Sequence, residues 1–208
     1  MRVTGAEGYR EPRDSLAHDW HAFLAAALPG VPWLALPNVG PGVVEYAQSW
    51  GVDAVLLTGG DDLGACPVRD ETEIALLDFA IGRSLPVAGI CRGLQLVQHH
   101  AGGALVDCDP SAHVRTVHAV RWAPGAPAPF GLRPPETVNS FHRRAVAADR
   151  LAPSLDALAI SEDGLVEALR HREHRIVALQ WHPERCAATP AWEAAMLRGH
   201  FGFQEPGR

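Results

Sequence analysis

The segment Pro86-Val-Ala-Gly-Ile-Cys-Arg-Gly-Leu-Gln95 decides the fold of this chain. Its first residues are apolar and predict a buried strand, and the residues after Cys91 predict a helix, so the cysteine lies where a strand runs directly into a helix. Gly89 and Gly93 flank it at two residues on either side, which is the cysteine version of the G-x-S-x-G nucleophile elbow. Because this turn must be sharp, it needs small neighbours. We therefore predict that Cys91 projects from the carboxyl edge of a sheet.

This setting favours a reactive cysteine. The free N–H groups and the dipole of a helix N-terminus favour a thiolate, and the N–H of Arg92 is placed to bind a developing oxyanion. The alternative is an ordinary buried cysteine whose neighbouring glycines only allow the helix to pack on the strand. The other cysteines, at positions 66, 108 and 186, have no comparable setting and no CxxC spacing, so we interpret them as structural.

Strand and helix patterns alternate on both sides of this segment. Helices are predicted at 15–28, with Asp14 as N-cap, and at 43–50, 70–83, 92–101 and 191–201. Strands are predicted at 2–4, 31–36, 54–57 and 86–90, and near 117–122, 157–161, 165–169 and 175–181. The Pro- and Gly-rich stretch 124–135 predicts a long surface loop. The pattern indicates an α/β fold, a single-domain three-layer sandwich over 1–208 whose mostly parallel sheet carries helices on both faces.

Composition excludes several classes of function. The chain has 208 residues, 47% of them hydrophobic, and a net charge of −6, which argues against binding of nucleic acid or of an anionic membrane. It has no apolar run of the roughly 20 residues that a membrane span needs, and the polar N-terminus has no signal-peptide core. We therefore expect a cytoplasmic protein. The sequence allows a homodimer but does not indicate one.

A cysteine nucleophile needs a base, and His182 is the best candidate among eleven histidines. The apolar segment 176–181 leads directly into it, so it also lies at a strand end. Glu184 follows two residues later, beyond Pro183, and can orient the imidazole and stabilise its protonated form. Taken alone, His182 would be a histidine hydrogen-bonded at a strand end; paired with an elbow cysteine, it is a predicted general base.

Two histidine pairs could suggest a metal. His99 and His100 are adjacent in a predicted helix and point in different directions, and His171 and His174 flank a predicted hairpin turn. This turn is rich in Arg and Glu, and we interpret neither pair as a metal site. We expect no metal and no organic cofactor.

Three separated motifs resemble the class I glutamine amidotransferase superfamily, and within it the γ-glutamyl hydrolase branch typified by γ-glutamyl-γ-aminobutyrate hydrolase. They are the elbow segment 89–95, Val138-Asn-Ser-Phe-His142 and Gln180-Trp-His-Pro-Glu184. Leu57-Thr-Gly-Gly-Asp61 and the acidic segment 69–73 also fit that branch. The chain departs from that branch in its short stretch between positions 61 and 69. Its N-terminal Arg13-Asp-Ser-Leu16, followed by Trp20, is similar to a compact sub-branch that includes hydrolases of γ-glutamyl nucleotide phosphoramidates.

The resemblance implies a role for each matching residue. Cys91, His182 and Glu184 match a catalytic triad, and Gly60 matches the glycine whose N–H joins that of Arg92 in the oxyanion hole. Four further residues match positions that hold the glutamyl group: Gln95, Asn139, Ser140 and His142.

The predicted reaction is hydrolysis of the γ-glutamyl amide bond of a small metabolite. Arg92, Arg143 and Arg144 would favour an anionic leaving group if they face the pocket, but Arg92 could instead be paired with a structural carboxylate such as Glu73. One alternative is a glutaminase subunit that supplies ammonia to a partner synthase. Another, of a different class, is a catalytically inactive binding or regulatory protein.

Overall fold

The fold was analysed in a computed structural model, which describes residues 1–5, 8, 11–125 and 132–203. The helices are α1 (His18–Ala27), α2 (Val43–Ser49), α3 (Pro67–Gly82), α4 (Arg92–His100), α5 (Pro110–His113) and α6 (Ala191–Phe201). The strands are β1 (Arg2–Gly5), β2 (Pro12–Ser15), β3 (Val55–Leu57), β4 (Val87–Ile90), β5 (Val106–Asp107), β6 (Val114–Trp122), β7 (Thr137–Phe141), β8 (Arg144–Ala145), β9 (Leu155–Ser161), β10 (Val166–His171) and β11 (Ile176–Leu179).

A seven-stranded sheet in the order β3-β4-β11-β10-β9-β6-β7 forms the centre of the molecule. Strands β3, β4 and β11 are parallel to one another, and the remaining strands join in antiparallel pairs. The predicted α/β fold is confirmed. Because β3, β4 and β11 run in the same direction, their carboxyl ends meet at one edge, where the candidate nucleophile, base and oxyanion loop all follow a strand.

The strands are buried on both faces, so their side chains alternate between two hydrophobic cores. Ala88 and Ile90 of β4 face the core that contains α1 and α6, whereas Val87 faces the core that contains α3 and α4. On β11, Val177 and Leu179 belong to the first core, and Ile176 and Ala178 belong to the second. The predicted arrangement of helices on both faces of the sheet is therefore observed.

Two predictions about local structure are wrong. Residues 31–36 form no strand, because Pro32 has no N–H to donate and Pro37 restricts the residue before it. Asp14 does not cap α1, which begins at His18. Instead Asp14 lies in β2, which pairs with β1, and its carboxylate accepts a hydrogen bond from the backbone N–H of Asn38 at 2.8 Å.

Elsewhere the predicted elements agree with the structure to within about three residues. Helix α3 begins three residues earlier than expected, because Pro67 occupies its first turn, where its missing N–H costs nothing. Part of the predicted surface loop, residues 126–131, lies outside the described residues. In the part of the chain that the structure describes, none of the helices is both long enough and apolar enough to cross a bilayer.

Candidate active site

Cys91 has the backbone geometry of a nucleophile elbow. Its φ of 53° and ψ of −100° lie outside the regions that non-glycine residues usually adopt, and its N–H donates to the carbonyl of Leu179 at 2.7 Å. A methyl group on Gly89 would lie 2.8 Å from the carbonyl carbon of Gly93, and one on Gly93 would lie 2.6 Å from the carbonyl oxygen of Leu57. Both flanking glycines are therefore needed for the close contact of strand and helix, as predicted.

His182 and Glu184 are in direct contact. The imidazole Nδ1 lies 2.6 Å from Oε1 of the carboxylate, and both side chains are almost completely buried. Pro183 places Glu184 in a 3-10 turn (Pro183–Arg185) that begins directly after the histidine. The carboxylate thus fixes Nδ1 as the protonated nitrogen and leaves Nε2 to accept a proton.

Gly59 is the point where the cysteine and the histidine come together. A methyl group on Gly59 would lie 2.6 Å from Cε1 of His182 and 3.6 Å from Cβ of Cys91. Both side chains therefore pack against the same glycine. The sequence predicted that the residues at positions 91, 182 and 184 meet at one sheet edge, and the structure brings them together there.

Asn139 holds the backbone of His182 from the opposite end of the sheet. Its side-chain carbonyl accepts from the N–H of His182 at 2.9 Å, and its Nδ2 donates to the carbonyl of the same residue at 2.8 Å. The ring of Phe141 packs edge-on against the imidazole, with ring centroids 5.8 Å apart. Asn139 was predicted to hold the glutamyl group, and its contacts in the structure are with the candidate base.

The loop that follows β3 is positioned by a buried arginine. Nη2 of Arg69 donates to the carbonyls of Thr58 at 3.0 Å and Gly59 at 2.9 Å, while its Nε donates to Glu73 at 2.8 Å. Gly60 has a φ of 143°, and a methyl group there would lie 2.2 Å from Nη1 of the same arginine. Only glycine fits at that position. The carbonyls of Thr58 and Gly59 thus accept hydrogen bonds from Arg69. The N–H of Gly60, which follows them in the same loop, is the group that the sequence predicted for the oxyanion hole.

The side chain of Arg92 does not face the pocket. It is 1% exposed and forms ion pairs with Asp70 and Glu73 of α3. Of the two possibilities for Arg92 that the sequence left open, the structure has the structural ion pair. Glu73 therefore joins Arg69, which holds the loop after β3, to Arg92, which begins the helix after the elbow.

The protonation state of Cys91 is set by burial. Burial raises the pKa of the Cys91 thiol to about 12, and the negative charge of Glu184 adds to the rise. The guanidinium of Arg185 and the backbone N–H of Arg92 act in the opposite direction but do not outweigh burial. The sequence predicted that the helix N-terminus favours a thiolate, and burial of the sulfur acts against that effect.

The other predicted substrate-binding residues form hydrogen bonds away from Cys91. Gln95 donates to the backbone carbonyl of Arg144 at 2.7 Å. Ser140 donates to the carbonyl of His113 at 2.8 Å, and His142 lies in the same buried group as His113. Arg143 is exposed, and Nε of Arg144 lies 3.6 Å from Oδ1 of Asp107. A substrate-binding role for these residues stays a prediction.

Two functional positions were missed by sequence reasoning. Arg69 appeared there only as part of a motif, although its spacing of four residues from Glu73 on a helix was a usable signal of an ion pair. Arg185 follows the histidine motif directly, and its guanidinium lies 4.5 Å from the centroid of the Phe141 ring. No local pattern marks Arg185, because its contact with β7 depends on the curvature of the sheet.

Comparison with known proteins gives a consistent result. A family model described as peptidase C26 matches residues 27–184. A glutamine amidotransferase-like protein of Lactococcus lactis is 33% identical over 158 residues, which cover 64% of this chain and 66% of that protein, so the match spans just under two thirds of that relative. A gamma-glutamyl-CDP-amidate hydrolase of Campylobacter jejuni is 26% identical over 196 residues, which cover 89% of this chain and 88% of that protein.

The fold also matches solved structures. A protein of Thermoplasma acidophilum described as a component of GMP synthase superposes with a TM-score of 0.67 at 21% identity, with 89% of this chain and 86% of that one covered. At that level of identity the likeness concerns the fold alone.

Proposed function

This chain belongs to the peptidase C26 family, which is class I glutamine amidotransferase-like, and from that premise we propose that it is a cysteine hydrolase of γ-glutamyl amide bonds. The observation that carries the proposal is the joint packing of Cys91 and His182 against Gly59, with Glu184 2.6 Å from the far nitrogen of the imidazole. A nucleophile, a base and an orienting carboxylate in this arrangement are the parts of a catalytic triad.

The reaction begins with transfer of the Cys91 proton to Nε2 of His182. Because burial holds the thiol pKa at about 12, the thiolate forms only together with the imidazolium that Glu184 stabilises. The sulfur attacks the γ-carbonyl carbon and forms a tetrahedral intermediate, whose oxyanion accepts hydrogen bonds from the N–H groups of Gly60 and Arg92. One such donor lowers the barrier by about 3–4 kcal/mol.

The intermediate collapses when His182 gives its proton to the leaving nitrogen and the C–N bond breaks. A thioester between Cys91 and the glutamyl group remains. His182 then takes a proton from a water molecule, which attacks the thioester carbonyl. The C–S bond breaks, the sulfur is reprotonated, and glutamate is released. Every proton transfer in this sequence passes through the one imidazole nitrogen that Glu184 leaves free.

For the leaving group, we infer an anionic species such as a nucleotide phosphoramidate. Arg185 is the cation that supports this assignment. Its side chain is 39% exposed, it stacks on Phe141 beside the candidate base, and its Nε lies 3.8 Å from Oε1 of Glu184. Its charge opposes the rise in the pKa of the Cys91 thiol. An exposed guanidinium at this position can bind a phosphate by charge-assisted hydrogen bonds. The Campylobacter relative, by its name, acts on such a compound.

A panel of substrates tests the proposal. Glutamate release is measured from glutamine, γ-glutamyl-aminobutyrate and γ-glutamyl-CDP-amidate, each with the isolated chain. We expect the phosphoramidate to have the highest kcat/KM. Arg185→Gln should lower that value about tenfold or more beyond its effect on the neutral substrate, as expected for one charge-assisted hydrogen bond. Its effects on Glu184 and on the Cys91 thiol are common to both substrates and cancel in this ratio. Arg172→Gln, which removes a distant exposed arginine, is the matched control.

The competing function is a glutaminase subunit that supplies ammonia to a synthase. The observation that favours it is the similarity to anthranilate synthase component 2 of Azospirillum brasilense, which is 28% identical over 149 residues. Glutamine as the best substrate, with turnover that rises sharply on addition of a synthase, would refute the free-standing hydrolase. Loss of activity on all substrates in Cys91→Ala and His182→Ala, by roughly 10⁴-fold or more, distinguishes the enzyme from an inactive binding protein.

A further inference from the structure

A second group of buried polar side chains lies beside the antiparallel part of the sheet. His113 at the end of α5, His142 directly after β7 and Glu167 on β10 each place one metal-binding atom within 4.8 Å of the others. All three are buried, with exposures of 1%, 4% and 0%. None of them belongs to the proposed triad.

Several atoms of this group have no hydrogen-bond partner among the described residues. They are Nε2 of His142, both carboxylate oxygens of Glu167, and both ring nitrogens of the adjacent His118. Nε2 of His118 lies 3.3 Å and Nε2 of His142 lies 3.7 Å from Oε1 of Glu167, but neither contact has hydrogen-bond geometry. Buried polar groups nearly always have a hydrogen-bond or ionic partner. A bound ion would supply the partner that these nitrogen and oxygen atoms lack.

The carboxylate of Glu167 lies among imidazole nitrogens in this environment. Its Oε1 is the atom nearest to Nε2 of both His118 and His142 in their ion-pair contacts, and the side chain is fully buried. The group therefore combines one buried carboxylate with imidazole nitrogens, which are ligand types that divalent transition metals prefer.

Asp163 prepares His113 to act as a ligand. Its Oδ2 lies 2.8 Å from Nε2 of His113, and its Oδ1 accepts a hydrogen bond from Ser161 at 2.5 Å. A carboxylate on one ring nitrogen fixes the tautomer and leaves the other nitrogen, Nδ1, as an acceptor, with a long contact of 3.5 Å to the hydroxyl of Ser140. Metal-binding histidines are usually oriented by such a carboxylate.

We propose that Nδ1 of His113, Nε2 of His142 and the carboxylate of Glu167 bind one zinc-type divalent ion, with Nε2 of His118 as the fourth ligand. Three imidazoles and one carboxylate suit a tetrahedral zinc site. Ligand atoms around tetrahedral zinc lie about 3.4 Å apart, so the three side chains need only a small rotation to close on the ion.

The ion would link three segments of the chain that are distant in sequence. His113 precedes β6, His142 follows β7, and Glu167 lies at a register shift between β10 and β9. Because β7 also carries Asn139, which holds the backbone of His182, zinc at this position stabilises the strand that supports the candidate base.

Metal analysis of the full chain, with any affinity tag removed, tests the site. We expect about one equivalent of zinc per chain, a lower thermal midpoint after removal of zinc with a chelator, and recovery on adding zinc but not magnesium. Cobalt in place of zinc should give the visible absorption of a tetrahedral site. A stripped protein that binds no zinc, and whose midpoint zinc does not move, overturns the proposal and leaves an imidazole–carboxylate network without metal.

Variants then locate the ion. Glu167→Gln keeps the size of the side chain, removes its charge, and should abolish stoichiometric zinc binding. Asp163→Asn, at a partly exposed position, should weaken zinc binding about 10- to 100-fold. The double variant of His171 and His174 to Asn, which removes a surface histidine pair with rings 4.4 Å apart, should bind zinc like the wild type. The assignment is contradicted if the His171/His174 double variant loses zinc. It is also contradicted if Glu167→Gln and Asp163→Asn both bind zinc with unchanged affinity.

Discussion

At the scale of single residues, the site depends on a cysteine that is not reactive until its base accepts the proton. Cys91 is 5% exposed, and burial holds the pKa of its thiol near 12 although it lies at a helix N-terminus. Desolvation of a charge outweighs the dipole of one helix when no cation pairs with the sulfur. If Cys91 is the nucleophile, as proposed, this burial protects it from general electrophiles in the absence of substrate.

Alkylation rates test this resting state. We expect iodoacetamide at neutral pH to modify Cys91 more slowly than the exposed Cys186, because only a very small fraction of Cys91 is thiolate. Mass spectrometry after brief labelling gives the order of reaction. If Cys91 reacts first, the thiolate and the imidazolium of His182 already form an ion pair in the free protein, and burial does not control the thiol.

Arg69 should matter for the chemical step. Arg69→Lys keeps a positive charge but cannot bind the carbonyls of Thr58 and Gly59 together with Glu73, so the loop that carries Gly60 loses its support. We expect kcat to fall about 10²-fold with little change in KM, as for a small displacement of a catalytic group. Steady-state kinetics measure this, with Arg172→Lys as control. A change in KM alone would show that Arg69 does not position the oxyanion loop.

The sequence predicts the role of a site residue where neighbouring residues in the chain indicate that role. It does not predict the orientation of a side chain whose partners are distant in sequence. Cys91 lies between two glycines and His182 lies two residues from Glu184, so a few neighbouring residues carry each prediction. The orientation of Arg92 was undecided because its partners lie on α3, about twenty residues earlier in the chain. Arg185 was missed for the same reason.

At the scale of elements, the packing of α4 against β3 and β4 depends on the elbow glycines. Gly93→Ala places a methyl group 2.6 Å from the carbonyl oxygen of Leu57, so we expect a loss of about 1–3 kcal/mol in the free energy of unfolding. Gly199→Ala is the control: this residue lies in α6 with open space around it, and alanine there should add about 0.5–1 kcal/mol. Urea unfolding measures both. Equal stability of the two variants would contradict the close contact.

Element boundaries follow local chemistry unless tertiary contacts replace it. The helix at 191–201 was predicted with its observed ends, and α2 ended one residue early. Asp14 had the chemistry of an N-cap, but its carboxylate binds Asn38, 24 residues away, and the helix begins further on. Residues 31–36 looked like a strand because apolar residues dominate them, and Pro32 within this run and Pro37 directly after it outweighed that signal.

At the scale of the whole molecule, the sheet curls so that β7, its last strand, reaches the loop after β11. Asn139 makes this contact through two hydrogen bonds to the backbone of His182. Asn139→Ala removes both, so we expect kcat to fall about 10- to 100-fold, because the base loses its fixed position. Kinetics and a thermal melt measure the effect, with Asn38→Ala as control. A loss of stability with unchanged kcat would show that Asn139 serves only the fold.

The alternation of side chains along β7 restricts how this protein can change in length. Asn139 and Phe141 face His182, whereas Ser140 and His142 face His113, so each face of one short strand serves a different buried site. Insertion or deletion of a single codon within β7 would exchange the two faces and dismantle both sites at once. We expect length variation among descendants of this sequence to be confined to the connection before Thr137, and β7 itself to change only by substitution.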